Sequence, residues 1–269
     1  MAFFSRSALV VLCTLGIAQA ASITVYLSPP GDTASVIPGV VTETFDDPAL
    51  LTLTSSTGFA SPIGTYLGNT PRVPVILADQ YGGAGNSAYM YVGSRQGGDS
   101  TSVALTLATP ADYFGFWWSA GDALNRISVY SNGVLVAQFQ TSDITDLLAN
   151  NPLYALNGTT YPTSAYYGNP NSGQFHGQDN AEPFAYVNLV ANGFTFDKLV
   201  LDNNGSSGFE NDNNSVFTGT VNIPRDFPSF VKVVDVPFIN DQVPEPGYSM
   251  LLGLLFVGTT YYKMRRAAR

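Results

Sequence analysis

Short runs in which apolar and polar residues alternate recur along the middle of the chain, each bounded by a cluster of Gly, Pro, Asn, Asp or Ser. Thr24–Leu27, Val40–Phe45, Val103–Leu107, Phe114–Trp118, Ile127–Tyr130 and Val134–Phe139 have this form. So do Ala185–Leu189, Phe194–Asp202, Val216–Ile223 and Phe230–Val236. A period of two sends successive side chains to opposite faces, so these runs predict β-strands. Asn132-Gly133 tolerates positive φ at both central turn positions and predicts a tight hairpin with Val129 opposite Val136. Ser142–Ala149 is the one clear helical pattern, capped by Ser142 or Asp143 and ended by Asn151-Pro152. The stretch Asn150–Asn180 is loop-like, and a loop that long inside a domain is usually functional or mobile. Together these elements predict an all-β fold, a single jelly-roll-like β-sandwich of galactose-binding or lectin type over residues 21–240.

The two ends break the pattern. Residues 1–20 carry Arg6, an apolar run from Ala8 to Ala18, and Ala18-Gln19-Ala20, the order of a secretory signal peptide cleaved before Ala21. The single cysteine, Cys13, falls inside it, so the mature chain is expected to hold no thiol and no disulfide. At the other end, residues 241–269 begin with a proline-stiffened stretch containing Val243, Pro244, Glu245 and Pro246. An apolar run from Tyr248 to Tyr262 follows, then Lys263, Arg265, Arg266 and Arg269. That run is short for a membrane helix, but flanking Tyr and Lys can extend it. The basic cluster would hold the tail in the cytoplasm and leave the body outside.

The order Val-Pro-Glu-Pro, short apolar helix, basic terminus resembles the PEP-CTERM sorting signal of Gram-negative bacteria. The resemblance implies that exosortase recognises Pro244, Glu245 and Pro246, that Tyr248–Arg269 is a transient inner-membrane anchor, and that the protein goes to the cell surface or the extracellular polysaccharide matrix. Gly247-Tyr248 departs from the Ser or Thr common after the motif, which bears on the processing position. The body is similar to a group of exosortase-dependent surface proteins of cyanobacteria and other Gram-negatives, through FGFWWSAGDALNRISVY, YYGNP, EPFAYVNL and GFENDNNSV. That likeness implies a location and no particular chemistry.

Charge narrows the partners. Only 12% of the 269 residues are charged, half the usual share of about 25%. Residues 21–243 hold six basic and 19 acidic side chains, a net charge near −13. Such a surface repels nucleic acid and anionic lipid and suits neutral glycans. It suits a polyanionic matrix only where divalent cations bridge the two.

Three kinds of chemistry can be read from the residues. Glu43, Asp46 and Asp47 in TETFDD, with Glu210, Asp212 and Asn213 in GFENDNNSV, offer the hard oxygens calcium prefers, so a calcium ion joining the first and late strands is expected. Asp202-Asn203-Asn204 is a further candidate, and strand-end Asx-turns explain the same residues without a metal. Phe114, Phe116 and Trp118 share one strand face, Tyr113 and Trp117 the other. If the first set is core, Trp117 could stack on a sugar, extended by Tyr161, Tyr166 and Tyr167 on the long loop; burial of both sets is the alternative. For catalysis, His176 is the only histidine, and with Asp179 it lacks a nucleophile motif. Glu182 and Glu210 could pair for glycosidic cleavage. The expected function is therefore a non-catalytic surface or matrix protein associated with exopolysaccharide. The alternatives are a secreted carbohydrate-active enzyme using Glu182 and Glu210, or a purely structural coat component.

Overall fold

The alternating runs assemble into two facing antiparallel sheets. The computed structural model describes residues 21–52, 57–93, 99–203 and 208–239. The segments expected to be a signal peptide and a sorting signal, including Val243, Pro244, Glu245 and Pro246, lie outside the described residues. Among those described, no helix is long and apolar enough to cross a membrane.

The larger sheet runs β16 (Val231–Pro237), β1 (Ser22–Leu27), β13 (Ala185–Asn192), β8 (Tyr113–Ser119), β15 (Phe209–Phe217), β6 (Tyr89–Val92), β5 (Val75–Ile76). Strand β2 (Val41–Glu43) pairs with the far end of β15. The smaller sheet runs β10 (Val134–Gln140), β9 (Asn125–Ser131), β14 (Phe196–Asn203), β7 (Ser102–Ala111), β4 (Gly64–Gly68), β3 (Gly58–Ser61). A short hairpin, β11 (Leu153–Tyr154) with β12 (Thr160–Tyr161), interrupts the predicted long loop. Helix α1 spans Ser142–Leu148 and a short helix α2 spans Ile223–Asp226.

Between the sheets lies one dry core. Ile23, Val25 and Leu27 of β1, Phe114, Phe116 and Trp118 of β8, and Val187 and Leu189 of β13 meet Val103 and Leu105 of β7, Ile127 and Val129 of β9, and Leu199 and Leu201 of β14. Burial of aliphatic and aromatic side chains of this size is the main term holding two sheets face to face. An all-β sandwich is what the alternation calls for, and it is what forms.

Four local expectations need correction. The predicted strand Val216–Ile223 is displaced: the strand is Phe209–Phe217, and the chain from Ile223 turns into α2. The Asn- and Asp-rich word GFENDNNSV thus falls, from Phe209 on, in an interior strand of the larger sheet, where its polar side chains find partners on both faces. In the hairpin, Asn132 (φ 51°) and Gly133 (φ 78°) make the predicted turn, but a bulge between Leu135 and Ala137 sets Val129 opposite Ala137, not Val136. Helix α1 is preceded by Thr141, whose hydroxyl donates to the Asn125 carbonyl at 3.0 Å, so neither Ser142 nor Asp143 is its cap. Strands β3 to β6 fall in a Gly- and Ser-rich region where the alternation is too short to stand out.

Candidate acidic site

The outer face of the larger sheet is not a solvent face. Strand parity sends Trp117, Tyr113 and Ser119 of β8 outward, beside Tyr186 and Asn188 of β13 and Glu210, Asp212 and Ser215 of β15. All of these residues are buried. Tyr113 donates its hydroxyl to Asn188 Oδ1 at 2.8 Å, and Tyr186 lies 3.0 Å from both the Asn213 carbonyl and Ser215 Oγ. Gly115 makes this crossing possible, since a β-carbon there would collide with the Tyr113 hydroxyl and the Tyr186 ring. Burial pushes the phenols of Tyr113 and Tyr186 above their usual range, so both stay protonated donors.

Loops seal this layer. Asn169 Nδ2 donates to the Gln80 carbonyl at 3.1 Å, and Asn171 Nδ2 donates to the Gly83 carbonyl at 2.5 Å. The Gly85 N–H returns a bond to Asn171 Oδ1 at 2.8 Å. Two side-chain amides thereby staple the predicted long loop to the turn at 79–85. His176 is exposed and donates Nδ1–H to the Asn171 carbonyl at 3.1 Å, a loop bond and not a catalytic one.

The candidate calcium ligands sit on β2, β15 and the turn after β2, and several of their oxygens accept backbone bonds. Glu43, paired with Asn214 across the ladder, takes the Phe45 N–H at 2.6 Å. Asp46 takes the Ala88 N–H at 3.2 Å, and Asp47 the Ala49 N–H at 2.9 Å. Asp212 Oδ2 takes the Ala84 N–H and the Ser87 hydroxyl, both at 2.8 Å, and its Oδ1 takes the Asn213 N–H at 2.6 Å. Asn213 (φ 48°) occupies a β-bulge and donates Nδ2 to the Thr33 carbonyl at 2.7 Å. Asp202 pairs with Arg126 at 2.5 Å, and Asn203 donates to the Val92 carbonyl at 3.2 Å. Among the described residues, no group of three or more His, Cys, Asp or Glu side chains is placed to hold a metal. The bonds these residues form include Asx-turn and strand-end bonds.

The aromatic platform does not assemble either. Trp117 is 0% exposed, packed against Phe184 with ring centroids 5.9 Å apart. Tyr166 is buried and its hydroxyl donates to the Ser28 carbonyl at 2.9 Å. Tyr161 is half-buried and donates to the Ser229 carbonyl at 3.1 Å; Tyr167 is half-buried beside Pro183. The exposed tyrosines are others, Tyr154 (66%) and Tyr81 (37%).

The charge of Glu182 reaches Glu210 as one of several lesser influences on it. Burial is the main cause that pushes the Glu210 carboxyl up to about 8, with the charges of Asp122, Glu182 and Asp79 adding to it. Burial also raises Glu182, reinforced by a hydrogen bond that its protonated carboxyl donates to Asp179 and by the charges of Asp179 and Asp122. Asp212 is pushed up to about 7 by burial, against the pull of its Ser87, Ala84 and Asn213 donors. Gly208 leaves the space that the Glu210 carboxyl fills, since a β-carbon there would overlap Oε1. Asp122 and Asp179 were missed as partners of the glutamates. Asp179 (φ 50°) sits in a left-handed turn, a conformation Asp tolerates, only three residues before Glu182, whereas Asp122 is remote from both glutamates in sequence.

No family model and no curated protein matches the chain. Among solved structures, it is similar to a variant catalytic domain of a GH87 alpha-1,3-glucanase solved with tetrasaccharides, at 15% identity and a TM-score of 0.34. The match covers 71% of this chain and 30% of that one.

Proposed function

We propose that the protein is an exported, non-catalytic component of the cell surface or extracellular matrix of a Gram-negative bacterium, handled by exosortase and associated with exopolysaccharide. The observation that carries this reading is the order of the termini around the acidic body. A leader-like segment ending in Ala18-Gln19-Ala20 precedes it, and Val243-Pro244-Glu245-Pro246, an apolar run and a basic cluster follow. The sandwich supports the reading as a jelly-roll-like spacer of the kind that lectin modules use. Its loops are fastened by side-chain amides, and it needs no thiol for that fastening. The reading includes a calcium ion as a stiffener of the sandwich. Intact mass of the protein recovered from the cell exterior tests the addresses: a chain starting at Ala21 and shortened near Pro246 is expected. An untrimmed chain in the cytosol would overturn the proposal. Co-sedimentation with cell-free exopolysaccharide tests the association.

A second reading is a secreted carbohydrate-active enzyme using Glu182 and Glu210, two carboxyls raised chiefly by burial. It requires reducing sugar to be released from a glycan and the release to vanish in both Glu182→Gln and Glu210→Gln. A coat component with no ligand would instead be silent against every glycan tested.

A further inference from the structure

Two open cavities meet at Phe217, the last residue of β15. The first, about 300 Å³, is lined by Val41 of β2, Pro62 in the turn after β3 and Thr109 of β7. The second, about 280 Å³, is lined by Thr220, Asn222 and Phe227. Together they fall in the range of small-molecule sites, roughly 300–1,000 Å³. The walls are open to solvent: both phenylalanines are half-buried, and Val41, Pro62, Thr109, Thr220 and Asn222 are exposed. Gly219 (φ 137°) borders the Phe217 ring, and a β-carbon there would come within 3.0 Å of Cε1. Glycine therefore leaves that side of the ring without a side chain over it.

Apolar and polar groups alternate around this cleft. Val41, Pro62 and the two phenyl rings supply hydrocarbon surface. Beside them, the hydroxyls of Thr109 and Thr220 make no hydrogen bond among the described residues. Asn222 spends Oδ1 on the Arg225 N–H at 3.3 Å, while its Nδ2 has no partner among them. A wholly apolar occupant would strip water from these three groups and return no bond. An anion finds no free cation, because Arg225 is paired with Asp226 at 2.7 Å and the body is strongly acidic. A cation finds only Asp226 in the wall, which the same pair neutralises. A neutral pyranose offers a C–H face to an aromatic ring and a hydroxyl edge to Thr and Asn, so it satisfies both kinds of surface.

We infer that this two-lobed cleft binds a neutral glycan, with successive pyranose units on either side of Phe217 and their hydroxyls bonded by Thr109, Thr220 and Asn222. The inference rests on the glycan-associated reading above and adds to it the place of contact and the class of sugar. The acidic body favours the same class, since it repels an anionic polymer and leaves a neutral one unopposed.

Titration calorimetry with neutral tetrasaccharides of glucose, galactose and mannose, and with a tetrasaccharide of galacturonic acid, tests it. At least one neutral tetrasaccharide is expected to bind, at least about tenfold more tightly than its own monosaccharide, which fills one lobe, and than the uronic acid. Thr109→Val and Thr220→Val remove hydroxyls at exposed positions, so melting curves should stay unchanged while each variant weakens the tetrasaccharide severalfold. Phe217→Ala should weaken it at least about tenfold, and the threonine variants carry the test should that protein not fold. Binding of no neutral tetrasaccharide, equal binding of the uronic acid, or unchanged affinity in the double variant of Thr109→Val with Thr220→Val overturns the inference. So does tighter binding of a Pro- and Leu-rich peptide, strengthened further by the two valines, which would make the cleft a peptide groove. If the wild type and the double variant co-sediment equally with exopolysaccharide, this site fails while the glycan reading stands. If the wild type binds the tetrasaccharide yet ignores exopolysaccharide, the glycan reading fails and the site stands.

Discussion

The two faces of the larger sheet are both buried, yet they are built from different chemistry. Toward the smaller sheet, Phe114, Phe116 and Trp118 pack among aliphatic groups. Toward the loops, Tyr113, Trp117, Tyr186, Asn188, Glu210 and Asp212 sit as deep, but in a layer fastened by hydroxyls, amides and carboxyls. The inner face gains from removing apolar surface from water, a term indifferent to pH and direction. The outer face gains only while each polar group keeps its partner and each acid can keep a proton. One strand thus serves two kinds of burial.

The largest effect that sharpens this contrast is Phe116→Ala. It removes a fully buried ring from the dry core and should cost about 3–5 kcal/mol in denaturant unfolding. A loss below about 1 kcal/mol would mean that the inner face is not the main source of stability. On the outer face, Tyr186→Phe keeps the ring but strips the hydroxyl from the Asn213 carbonyl and Ser215 Oγ. A loss of about 1–2 kcal/mol is expected, and a neutral result would show the polar layer to be passive.

The pH response separates the faces more cleanly. Glu210 is raised from 4.5 to about 8 and Asp212 from 3.8 to about 7, so between those limits the folded chain holds protons that the unfolded chain has lost. Their contribution is fully present below the unfolded values and is lost as pH rises through about 7 and 8. Asp235, lowered by Lys232, acts in the opposite sense at acid pH, but it is exposed and weak. The melting temperature should therefore fall between about pH 5 and pH 8. Glu210→Gln should flatten that slope, and a melting temperature that rises across the range would contradict the buried cluster.

The smallest expected effects concern the proposed ion and the tryptophans. EDTA should lower the melting temperature if calcium stiffens the sandwich, since a ligand stabilises by binding the folded state. An unchanged melting temperature would remove calcium from the account. Tryptophan emission should be blue-shifted and poorly quenched by acrylamide, because Trp117 and Trp118 are both 0% exposed.

Residue order alone determined the strands of the core and their parity, because a period of two is a local property. It also determined the Asn132-Gly133 turn, because positive φ is a local demand that Asn and Gly meet. Glu182 and Glu210 could be nominated as a pair from their type. Parity does not say what covers the second face, so Trp117 could equally have been a sugar platform or a buried ring. Only the tertiary structure decided that, through Asn169 and Asn171 reaching a turn some 88 residues away. The same holds for GFENDNNSV, whose polar residues look like a loop until partners distant in sequence satisfy them. Ser119 meets Glu210 only when β8 and β15 pair across the ladder, and Glu182 approaches the turn after Ser119 only through the Gly121–Pro183 bond. That convergence depends on contacts between remote segments, which no short window of residues encodes.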